Sequence, residues 1–138
     1  MSALPYTLEF RGTAMPLDPG ILIMRGNAPS AIFGEAGEAL LEARVSLMEE
    51  EAFELAGSIS FGRGTALRFR SVGRGAFGPW PEPGLRLGTA VCEIDGGSGR
   101  LASASGRITS SFLISDTGDL TDHQFGLLFV PSQTRARP

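Results

Sequence analysis

Lysine is absent from this chain, and four other side chains with distinctive chemistry occur once each. All twelve cationic side chains are arginine, while His123, Cys92, Tyr6 and Trp80 are each the single residue of their type. Each shortage removes a chemistry. A chain without lysine forms no Schiff base, anchors no pyridoxal phosphate and has no phosphate-loop lysine. One histidine with one cysteine cannot build a zinc site from His and Cys clusters, which leaves only a carboxylate-rich site for a hard cation open. A single cysteine forms no intrachain bridge, and this points to a cytoplasmic setting. The formal charge of −3 opposes sequence-independent binding to nucleic acid, which needs a surplus of cations facing phosphate. Met1–Gly20 carries no basic-then-apolar leader, and no apolar run is long enough to span a bilayer as a helix. No nucleic-acid or membrane partner is therefore expected.

What the chain does have is punctuation and alternation. Nineteen glycines and nine prolines break it at short intervals. Between the breaks, Phe53, Leu55, Gly57, Ile59 and Phe61 alternate with Glu54, Ala56, Ser58 and Ser60, the period of a strand with one buried face. Tyr6, Leu8 and Phe10 repeat the pattern, as do Leu67 with Phe69. So do Ile108, Ser110, Phe112 and Ile114, and the line His123, Phe125, Leu127 and Phe129. The segment 37–51 has helix-favouring composition, yet Leu41, Ala43, Val45 and Leu47 keep strand period. It reads as a strand followed by an acidic turn at Glu49–Glu51.

Strands are expected near 4–14, 20–28, 30–35, 39–48, 52–61, 65–75, 85–95 and 107–115, with a closing one at 120–130. Short connections favour consecutive antiparallel neighbours, and a sheet of that size with one apolar face closes on itself to remove its edges. The expected fold is all-β: a single antiparallel up-and-down barrel of about eight strands over residues 1–138, with 131–138 as a flexible tail.

The segment Gly96-Gly97-Ser98-Gly99-Arg100-Leu101-Ala102-Ser103-Ala104-Ser105-Gly106 resembles the G-G-[ST]-G-x-[FL]-x-G-A-x-G stretch of the allene oxide cyclase and dirigent superfamily of small, calycin-type β-barrels. Ser103 stands where that family commonly has glycine, and Leu101 where it more often has phenylalanine. The resemblance is concentrated between Cys92 and Asp116. Clustered glycines suit a strand-to-loop turn with positive φ, and Leu101 supplies an apolar anchor beneath it. With no following helix the turn is not a phosphate cradle.

The resemblance implies a site in the barrel lumen and a chemistry of cyclisation or isomerisation without a cofactor. Plant relatives cyclise an unsaturated epoxide or steer a radical coupling, and bacterial proteins of similar architecture include cyclases of polyketide-type metabolites. No catalytic residue of the plant enzymes falls within the matched stretch. From the residues themselves, His123 is the candidate general acid or base, placed inward by its parity with Phe125 and its neighbours. The Tyr6 phenol is a candidate donor to a substrate carbonyl. Phe10, Phe69 and Phe125 would line the lumen, and Phe77 with Trp80 would form a lid or rim over it, or a self-association patch. Cys92 reads as a small buried hydrophobe, and Asp116–Asp119 as a hairpin turn.

Charge is uneven along the chain, with glutamates between Glu35 and Glu54 and arginines between Arg63 and Arg107, which predicts an acidic and a basic sector on the outer wall. The ordinary reading of such sectors is a solvated face, and the alternative is a complementary contact between copies in a homodimer or homotrimer. The leading expectation is a cyclase or isomerase for an apolar, unsaturated metabolite. A carrier for such a molecule, and a barrel filled by its own phenylalanines, stand as alternatives.

Overall fold

The computed structural model describes residues 2–79 and 82–131. Nine strands form one antiparallel sheet: β1 (Ser2–Asp18), β2 (Ile21–Ser30), β3 (Gly37–Leu47), β4 (Ala52–Gly62), β5 (Thr65–Ser71), β6 (Gly75–Pro79), β7 (Leu85–Ser98), β8 (Ser105–Ser115) and β9 (Asp119–Val130). Single 3-10 turns occupy Glu49–Glu51 and Gly99–Leu101. The sheet closes because β3 pairs with β4 while β1 pairs with β9. Around the circle the order is β1, β2, β3, β4, β5, β7, β8 and β9, an eight-strand barrel with β6 as an extra piece.

That extra piece corrects the expected strand at 65–75. β5 leaves the wall after Ser71, Val72–Arg74 make an excursion, and β6 resumes the same course. Gly75 pairs with Phe53 and Ala76 with Ala52 on one side, while Ala76–Pro79 pair with Arg86–Thr89 on the other. A second correction falls at 30–35. Ala31–Ala36 is an irregular loop, with Gly34 in the left-handed region (φ 83°) and its N–H bonded to the Ala31 carbonyl at 2.9 Å. The segment 37–51 is a strand and an acidic turn, as its alternation predicts.

Inward positions follow the even residues of β1, β2, β8 and β9 and the odd residues of β3, β4 and β5, and most of them are buried. Three inward aromatic rings each lie over a glycine paired to them on the next strand. Tyr6 covers Gly126, Phe112 covers Gly88, and Phe53 covers Gly75. A methyl group at any of these glycines would overlap the ring, so the rings lie flat in the space that glycine leaves.

The turns divide the barrel into two ends. One carries the β1–β2, β3–β4, β6–β7 and β8–β9 connections; the other carries the Ala31–Ala36 loop, the β4–β5 turn and the Gly99–Leu101 turn. Residues 132–138 of the expected tail at 131–138, and the rim residue Trp80, lie outside the described residues. No helix among the described residues is long and apolar enough to cross a membrane.

Candidate functional site

Midway along the barrel an apolar interior encloses a polar cluster. Ser110 on β8 and Asp122 and Gln124 on β9 are at most 1% exposed, and Tyr6 on β1 and Cys92 on β7 are buried beside them. The Ser110 hydroxyl donates to Asp122 Oδ1 at 2.7 Å, and Gln124 Nε2 donates to Asp122 Oδ2 at 3.0 Å. The Tyr6 hydroxyl donates to Gln124 Oε1 at 3.3 Å, completing a chain of hydrogen bonds across three adjacent strands.

No arginine pairs with Asp122 among the described residues. Burial therefore dominates, pushing the carboxyl above its ordinary range despite the bonds from Ser110 and Gln124, which act the other way. The Tyr6 phenol is raised by burial first, then by Asp122 and Cys92. Burial, followed by the Asp122 carboxyl, pushes the Cys92 thiol up to about 12. The three groups share one cause: at each, burial disfavours the charged form.

This arrangement overturns the expected parity of β9. His123 and Phe125 point outward; the His123 side chain is 57% exposed, with Nδ1 3.6 Å from Glu9 Oε1, and Phe125 is 60% exposed. With Val91 and Leu127 they stand on the outer wall, where neither can touch a ligand in the lumen. Apolar count chose the wrong face because the inner line, Leu120, Asp122, Gln124, Gly126 and Leu128, spends two positions on the polar cluster and one on the gap beneath Tyr6. The missed residues had one sequence signal. Ser110 already lay on an inward apolar line, so a polar partner was needed opposite it.

Phe10 and Phe69 do point inward, but both are sealed in the core with Phe53 and Phe112. They fill the middle of the lumen and line no open space there. Phe77 is also inward and forms, with Phe53 and Phe112, a ring of three edge-to-face contacts at centroid distances of 5.5–5.7 Å. Above it, at the end bearing the β8–β9 turn, lies a half-open bowl of about 450 Å³ lined by Leu22, Leu47, Phe77, Leu85, Arg86 and Ile114, with Ser115 and Asp116 at its edge. The Arg86 guanidinium lies 4.7 Å over the Phe77 ring and donates to Glu51 Oε1 at 3.0 Å. The bowl has an aromatic floor, aliphatic walls and a fixed cationic rim. Such a surface suits an apolar molecule with one polar end.

The acidic and basic sectors expected on the outer wall are interleaved instead. Arg25 pairs with Glu42 at 2.8 Å and Arg86 with Glu51, while Arg70 lies 3.7 Å from Glu93 and 4.0 Å from Asp95, so opposite charges meet across neighbouring strands. The Asp116–Asp119 hairpin closes on itself, with the Ser115 hydroxyl accepting from the Thr117 and Asp119 amides. No group of three or more His, Cys, Asp or Glu side chains able to hold a metal gathers among the described residues.

No family model and no curated protein matches the chain. Solved structures do. The pterocarpan synthase dirigent protein GePTS1 superposes with a TM-score of 0.64 at 15% identity, over 95% of this chain and 89% of that one. The pterocarpan synthase dirigent protein PsPTS1 gives 0.52 at 13% identity, over 95% and 97%. The likeness is one of fold, a dirigent-like barrel.

Proposed function

We propose that the protein is a cytoplasmic, cofactor-independent cyclase or isomerase for an apolar, unsaturated small molecule of polyketide or polyene type. The substrate enters the bowl above Phe77 and is held there in a reactive conformer. The observation that carries this reading is the placement of the Asp122 carboxyl, fully buried beside Phe112, the ring packed under Phe77 at the floor of the bowl. Burial raises that carboxyl above its ordinary range, and a carboxyl so raised can donate a hydrogen bond or deliver a proton to a carbonyl or departing oxygen. Phe112, paired with Asp122 across β8 and β9, separates it from the bowl, so a turn of that ring admits the substrate. The Tyr6 hydroxyl, next along the chain of bonds, is the second donor. The names of GePTS1 and PsPTS1, synthases of a small organic product, support the same class, as does the resemblance of Gly96–Gly106 to allene oxide cyclases.

Mass spectrometry of the purified protein is expected to find a bound apolar metabolite. Ile114→Trp, which fills the bowl, is expected to lose it. Asp122→Asn should retain the ligand but convert it at least about 100-fold more slowly. A ligand bound and left unchanged by wild type would make the protein a carrier. The burial of Phe10, Phe53, Phe69 and Phe112 favours a second reading, a barrel filled by its own side chains, and absence of any ligand would establish it.

A further inference from the structure

The opposite end of the barrel holds a cavity of about 330 Å³ with a different chemistry. Ile32, Phe33 and Phe61 supply its apolar surface, while Arg63, Arg100, Glu35 and Glu38 carry its charge. Phe33 and Phe61 meet edge to face at 5.7 Å, and the Arg100 guanidinium lies 4.2 Å over the Phe33 ring.

Two features of the backbone set the arginines in place. Arg63 sits in the left-handed region (φ 55°) between Gly62 (φ 86°) and Gly64 (φ 74°), so an arginine occupies a turn position where glycine would be unstrained. The glycine-rich turn seats Arg100 against that same turn. Gly99 approaches so closely that a Cβ there would stand 2.6 Å from Thr65 Oγ1 and 2.7 Å from the Gly64 carbonyl oxygen, and the Arg100 N–H donates to Thr65 Oγ1 at 3.3 Å. Neither guanidinium has a carboxylate partner among the described residues. Glu38 is engaged by Asn27 Nδ2 at 2.7 Å, and Glu35 is exposed on the loop.

We propose that this cavity is a second binding site, selective for a small aromatic monocarboxylate. The ring would lie against Ile32, Phe33 and Phe61, and the carboxylate would accept from Arg63 and Arg100. Glu35 and Glu38 balance the two arginines, so a doubly charged phosphate is opposed where a single carboxylate is accepted. The site is independent of the bowl at the other end, and of whether any reaction occurs there.

An amide-detected NMR titration with trans-cinnamate tests it, using cinnamamide as the neutral isostere and inorganic phosphate as the simple anion. Cinnamate is expected to shift the amides of residues 31–36, 62–65 and 99–101, and to bind at least about fivefold tighter than cinnamamide. Phosphate is expected to leave these amides unmoved at the same concentration. Arg63→Gly, which suits the turn, should weaken cinnamate by about fivefold while raising the melting temperature, and Arg100→Gln should weaken it similarly. Equal binding of cinnamate and cinnamamide would overturn the proposal, as would phosphate matching cinnamate. Wild-type affinity in both arginine variants would overturn it equally.

Discussion

The two ends of the barrel are built by opposite means. At the bowl, three phenylalanine rings pack edge to face, and glycines at Gly75 and Gly88 make room for them from neighbouring strands. Those two glycines act through the volume they leave empty. Glycines at positive φ turn the chain at both ends, Gly20, Gly84 and Gly118 at the bowl and Gly62, Gly64 and Gly99 at the other, but at the arginine end these turns also carry the guanidinium groups of the cavity. Side-chain packing thus floors one end, and turn conformation seats the arginines of the other. Between them lies a hydrogen-bonded cluster that no guanidinium reaches among the described residues.

Substitution at matched positions sharpens this contrast, starting with the largest effect. Phe112→Ala removes a fully buried ring packed against Phe77 beneath the bowl and should cost about 3–5 kcal/mol, read by chemical denaturation. Gly88→Ala forces a methyl into the same ring and should cost about 2–3 kcal/mol, because the ring must be held displaced against Phe53 and Phe77. At the other end Phe33→Ala should cost only about 1–2 kcal/mol, since that ring is half-buried and its cavity already opens to solvent. Equal costs for Phe33→Ala and Phe112→Ala would erase the distinction. The smallest effect belongs to the outer wall, where His123→Ala should change stability by no more than about 0.5 kcal/mol and leave ligand binding at both ends intact.

The middle of the barrel is separated from its ends by pH. The Asp122 carboxyl titrates higher folded than its reference value of 3.8, so between the two values the folded state binds more protons than the unfolded one. Its contribution to stability is therefore full below 3.8 and is lost as pH rises through the folded value. Asp122→Asn should flatten that part of the stability–pH curve and make the protein more stable than wild type at neutral pH. The asparagine amide can still donate to Ser110 and accept from Gln124. A variant curve parallel to wild type would show that burial of Asp122 has no such linkage.

Much of the wall was legible because eight strands are half-wet and the period-two alternation of β1, β3, β4 and β8 survives in the sequence. The β9 face was not, since its inner line mixes an aspartate, a glutamine and a glycine with two leucines, and those residues make sense only beside their cross-strand partners. Gly126 is explained by Tyr6, and Asp122 by Ser110; both pairs are more than ten residues apart in the chain. The break between β5 and β6 was hidden for a similar reason. Leu67, Phe69 and Phe77 all face inward, and the one local mark of the excursion, Gly73 at φ 74°, reads equally as the end of a strand. The glycine-rich turn was legible as a turn, with Leu101 fully buried beneath it, but not as the element that seats Arg100.

The divided wall gives the molecule a built-in expansion joint. β6 holds only two residue pairs with β4 and four with β7, whereas β5 is joined to β4 by six. Detaching the five residues of β6 would lift Phe77 from the floor without unzipping β5 or disturbing the arginine end. Amide protons of Gly75–Gly78 should accordingly exchange by a local, low-energy opening, while those of β4, β8 and β9 wait for the whole barrel to unfold.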